Sequence, residues 1–82
     1  MTELNHYKEA IELALNGDWD ASHKIVQDFS DHYANWIHAV LHKIEGDEWN
    51  SQYWYQRTDG KRFEDYAEPD EELVVILNDL QD

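Results

Sequence analysis

The sequence contains no cysteine, one proline and three glycines. Without cysteine there are no disulfides, no thiolate metal sites and no thiol nucleophile, so the fold must rest on its core alone. Long apolar runs are also missing. The longest, residues 73–77, is far too short to span a bilayer, and residues 1–6 have neither the basic nor the apolar stretch of a leader. A cytoplasmic protein without a membrane partner is therefore expected. Positive charge is scarce too: six Lys and Arg against nineteen Asp and Glu give a net charge of −13. Such a surface repels phosphate backbones, which argues against direct nucleic-acid binding. With so few glycines there is no phosphate-cradling loop, and no serine or threonine sits in a Gly-x-Ser-x-Gly elbow.

What is abundant is aromatic and acidic. Four Trp, five Tyr and two Phe in 82 residues allow a small core to bury a large area. The acid is uneven: residues 64–82 hold eight Asp and Glu and no basic residue, just after the basic island of Arg57, Lys61 and Arg62. This reads as a solvated face that keeps the protein soluble.

Apolar spacing predicts an all-α domain over residues 1–82, built as two antiparallel helical hairpins (1–30 and 31–58), a connector (59–68) and a capping helix (69–82). Leu4, Tyr7, Ile11 and Leu15 mark a first helix over about 3–16, between Thr2 and Gly17. Asp18 caps a second helix with Ser22, Ile25, Val26 and Phe29 facing inward. Tyr33, Trp36, Ile37, Val40, Leu41 and Ile44 form the broadest stripe, ending at Gly46. Asp47 caps a fourth helix over about 48–58. Asp59-Gly60 is then a helix-ending turn or, alternatively, a hairpin turn between two strands. Glu68-Pro69-Asp70-Glu71-Glu72 starts a last helix, lined by Leu73, Ile76, Leu77 and Leu80.

The chain repeats itself at an offset of 29 residues. Ala10, Gly17, Asp18 and Ser22 fall on Ala39, Gly46, Asp47 and Ser51, and the apolar positions between them also correspond. A small residue, a Gly-Asp corner, then a small residue followed by a bulky pair resembles helical-hairpin repeats of the tetratricopeptide and SEL types over residues 4–58. Ser51-Gln52-Tyr53-Trp54-Tyr55-Gln56-Arg57 is similar to the A-x-x-W-Y-x-x-A ending of a SEL-type repeat. The segment from Gly17 through Arg57 also looks like a family of short bacterial proteins of unknown function. The first resemblance implies a protein-binding scaffold; the second implies no activity.

Candidate chemistry lies on the third and fourth helices. His38, His42 and Glu45 stand at i, i+4 and i+7, a spacing that stacks them on one side of a helix and suits a divalent metal, with His23 as a further ligand; the alternative is structural histidines in satisfied contacts. Trp36, His38, Trp54 and Arg57 are candidates to border a shallow pocket for a peptide or small anion, against plain packing. Trp49 and Tyr53 share the other side of the fourth helix, where the terminal helix is expected to cover them with Leu73, Ile76 and Leu77, or else they meet a partner. Trp19 and Trp49 fall outside the apolar stripes and together could form an exposed tryptophan patch. The first functional expectation is a non-catalytic protein-binding adaptor with no cofactor, monomeric, its partner unread. Alternatives are an acidic decoy for a basic or nucleic-acid-binding protein, and a small metal-dependent enzyme.

Overall fold

A computed structural model describes residues 2–81; Met1 and Asp82, the ends of the expected domain, lie outside the described residues. The order is α1 (Thr2–Leu15), α2 (Trp19–Val26), α3 (His32–Ile44), α4 (Glu48–Tyr55), a 3₁₀ turn (Phe63–Asp65) and α5 (Pro69–Gln81), with no strand among the described residues. No helix among them is long and apolar enough to cross a membrane.

The two Gly-Asp corners act through the same bonds. At the end of α1, Gly17 takes φ +86°, its amide bonds Ala14 O (3.1 Å), and the amide of Asp18 reaches back to Leu13 O (2.8 Å). At the end of α3, Gly46 takes φ +83°, with Gly46 to Lys43 O (3.1 Å) and Asp47 to His42 O (2.9 Å). Both are Schellman closures, which require the left-handed backbone that glycine adopts without a Cβ penalty. The following Asp caps the next helix: Asp18 accepts from Ala21 N and Asp47 from Asn50 N. Four residues on, Ser22 Oγ donates to Ala10 O (2.7 Å) and Ser51 Oγ to Ala39 O (2.6 Å), all four residues being buried. A small residue on each partner lets α1 approach α2, and α3 approach α4, closely enough for these bonds.

Helix α3 is central. It touches α1, α2, α4 and α5, and residues 34–42 are all buried. On a helix enclosed all round the polar side chains need partners inside the protein, and of its buried side-chain atoms only Asn35 Oδ1 and His38 Nδ1 lack one among the described residues. Asn35 Nδ2 meets Ser30 O and Arg57 O at 3.1 Å each, and Asp31, the N-cap, takes the Tyr7 hydroxyl (2.8 Å), tying α3 to α1. Ile44, expected in the stripe, is 40% exposed, because it sits in the last turn beyond the packed neighbours.

Two sequence expectations are corrected. Helix α4 stops at Tyr55 and not at Thr58: the amides of Arg57 and Thr58 tighten to i−3 acceptors, and Thr58 Oγ1 donates to Tyr55 O and accepts from Lys61 N. Gly60, at φ +94°, turns the chain into the 3₁₀ segment, so Asp59-Gly60 is a turn beyond the helix end and joins no strands. The second concerns α5. Leu73, Ile76 and Leu80 are buried, each contributing about 1.5–3 kcal/mol, but against α3 and α1. The expected cover over Trp49 and Tyr53 is therefore absent, and these rings are 75% and 38% exposed.

Candidate functional site

Histidines from two helices converge beside α3. His23 of α2 points across to His38 and His42, which stand one turn apart on α3, and the candidate ligand nitrogens of the three all lie within 4.8 Å of one another. His23 Nε2 and His38 Nε2 are 3.0 Å apart. Two tryptophans bracket the cluster: Trp54 of α4 stacks on His38 (centroids 3.9 Å, 14°), and Trp19 stacks on His23 (4.7 Å, 10°). Trp19 is itself fixed by its indole N–H donating to Leu41 O at 2.6 Å, so it is a wall of the cluster, not part of an exposed tryptophan patch.

Electrostatics keep two of these rings neutral. Burial first, then the neighbouring His23 and His42, push His38 down to about 3. His23 is also lowered, mainly by burial and then by His42, against an opposing pull from Glu45 and Asp20. Glu45 stands behind His42, its Oε1 2.5 Å from Nδ1. A neutral His42 with its proton on Nδ1 donates there and leaves Nε2 bare. His38 Nδ1 is buried with no hydrogen-bond partner.

No family model, curated protein or solved structure matches this chain. The chemistry of the site therefore has to be read from its own geometry.

Of the residues singled out in sequence, His23, His38 and His42 are brought together, and Glu45 joins them at one remove. The expected pocket of Trp36, His38, Trp54 and Arg57 is split three ways. His38 and Trp54 stack in the histidine cluster, while Trp36 lies 1% exposed on the α5 side, its indole N–H donating to Glu72 Oε2 (2.8 Å). Arg57 is exposed, its guanidinium 3.6 Å above the Tyr53 ring and bonded to Tyr53 O (2.9 Å). Trp36 and His38, two residues and about 200° apart around α3, lie on different faces of that helix.

The outward side of α4 forms an aromatic ledge. Trp49 stacks on Tyr53 (6.1 Å, 17°), and the Arg57 guanidinium lies over the Tyr53 ring. Beside these rings Glu48, Gln52 and Gln56 complete a shallow hollow of about 460 Å³.

A second polar cluster escaped the sequence reading altogether. Glu72, 1% exposed, pairs with Lys43 (2.7 Å) and accepts from Trp36 Nε1 and Tyr55 Oη (2.7 Å). The Lys43 ammonium also donates to Phe63 O and Tyr66 O, 3.0 Å each. Burial, then the bond to Glu72, push the Tyr55 hydroxyl up, so it acts as a donor only. Every strong bond of this pair stays inside the protein, joining α3, α4, the 3₁₀ segment and α5.

Proposed function

We propose that the protein is a non-catalytic binding module that holds a protein partner on the outward face of α4. The observation that carries this reading is the three-quarters exposure of Trp49, stacked on a Tyr53 whose ring Arg57 also covers. An exposed tryptophan gains little for the fold; tryptophan, tyrosine and arginine are the residues that most often dominate binding energy at interfaces. Bracing fixes the rings beforehand and so lowers the entropy lost on association. The protein surface that fits has an apolar groove with a basic rim, to receive the rings beside Glu48 in a chain of charge −13. A scaffold of helical hairpins with an internal repeat, resembling the tetratricopeptide and SEL types, is suited to such work. We take the protein to be a cytoplasmic monomer without nucleic-acid or membrane partners.

The test compares affinity capture by the native chain and by a Trp49→Ala/Tyr53→Ala variant. Both should melt alike, and the variant should lose the partner that the native chain retains at moderate salt. Equal capture by both would contradict the assignment of this face. Capture that disappears steeply with salt, whether or not the rings are present, would favour the acidic-decoy alternative. In that alternative the exposed carboxylates of α5 make the contact, although Glu72 is withdrawn into the core and Asp79 already accepts from Tyr33 (2.9 Å).

A further inference from the structure

We propose that His23, His38 and His42 form a three-imidazole site for a divalent transition metal of the zinc class. The site shares no residue with the α4 ledge, so it stands or falls independently of the binding-module reading. Geometry is the first argument. A tetrahedral ion with metal–nitrogen bonds of about 2.0–2.1 Å places its ligand nitrogens about 3.3 Å apart. The three candidate nitrogens already lie within 4.8 Å of one another, the closest pair at 3.0 Å.

The outer contacts are the second, independent argument. A metal-bound imidazole commonly gives its other N–H to a carboxylate, which fixes the tautomer and strengthens the ligand. Glu45 stands at His42 Nδ1 in that role, which makes it a positioning residue for the three-histidine site. The stacked Trp54 and Trp19 hold the His38 and His23 rings in plane. His23, only half-buried, gives the ion a way in from solvent. Three imidazole nitrogens from rigid helices suit zinc, nickel and copper(II), with copper(II) tightest by the general order of divalent ions, and suit magnesium or calcium poorly.

The experiment is a calorimetric titration of the full chain with zinc chloride, in excess magnesium to occupy surface carboxylates. One equivalent should bind. His23→Gln and His42→Gln should each weaken binding more than about 100-fold, and Glu45→Gln, which removes no ligand, about 10- to 100-fold. His6→Gln should change nothing. Because His38 and its neighbours also pack, circular-dichroism melts accompany each variant, and Glu45→Gln keeps the test open should a histidine variant fail to fold. Copper(II) should quench tryptophan fluorescence through the ring stacked on His38. Absence of binding in magnesium, or one-equivalent binding that survives both His23→Gln and His42→Gln, would overturn the assignment.

Discussion

Two polar clusters flank the central helix, and they are built to opposite rules. Around Lys43 and Glu72, each charge has its opposite at 2.7 Å, and the remaining bonds go to Trp36, Tyr55 and two backbone carbonyls. Around His23, His38 and His42, nitrogens face nitrogens, and one buried nitrogen has no partner. Burying polar atoms is costly unless they are bonded, so the paired charges of the first cluster serve the fold, whereas the second sets three potential ligand nitrogens within 4.8 Å of one another. The first is a latch for α5. The second has the composition of a ligand site.

That contrast is most sharply broken at Glu72. Glu72→Ala leaves the Lys43 ammonium buried without its counter-charge and should cost about 3–5 kcal/mol in chemical denaturation. Replacing both partners, Lys43→Met with Glu72→Leu, should recover part of the loss, since no charge is then stranded; the Trp36 and Tyr55 donors still lack their acceptor. A Glu72→Ala variant as stable as the native chain would remove the latch.

Acid strikes the other cluster. His38 is held at about 3 in the fold against an ordinary 6.5, so the unfolded chain takes up its proton first. Stability is therefore full above pH 6.5 and is lost progressively from there down toward 3. For metal-free protein the loss by pH 5 should be about 2 kcal/mol, read as a falling melting temperature. His23 shifts in the same direction, while Glu45 and Asp20 oppose it. A melt that is flat from pH 7 to 5 would contradict the burial of a neutral His38.

The 29-residue correspondence supplies a smaller and more symmetrical test. Ser22→Ala and Ser51→Ala each remove one buried bond to a helical carbonyl, and each should cost about 1 kcal/mol. Widely unequal costs would show that the two corners are alike in geometry and not in energy. Smallest of all, Trp49→Ala should change stability by no more than about 0.5 kcal/mol, because its ring has few neighbours to lose.

The helices were legible because capping and spacing are local signals: both Gly-Asp corners and the Pro69 start announce themselves within a few residues. The i, i+4 pair His38 and His42 was legible for the same reason. Faces were harder. Trp49 stands two residues after its capping Asp47 and Trp19 one after Asp18, a difference of about 100° around the helix that turns one ring to solvent and the other onto His23. Glu72 hid in the run Asp70-Glu71-Glu72, where acid is ordinary beside a helix N-terminus. Its signal was its register: Glu72, Ile76 and Leu80 recur every four residues on the buried face. Its partner, Lys43, comes from another helix, and only the packing brings them together.

Imidazole nitrogen resonances of histidine-labelled protein, recorded during addition of one equivalent of zinc, test the ligand-site assignment most directly. His23, His38 and His42 should shift together and saturate at one equivalent, while His6 and His32 stay where they are. Movement of His6 or His32 alone, or small shifts spread over all five without saturation, would contradict it.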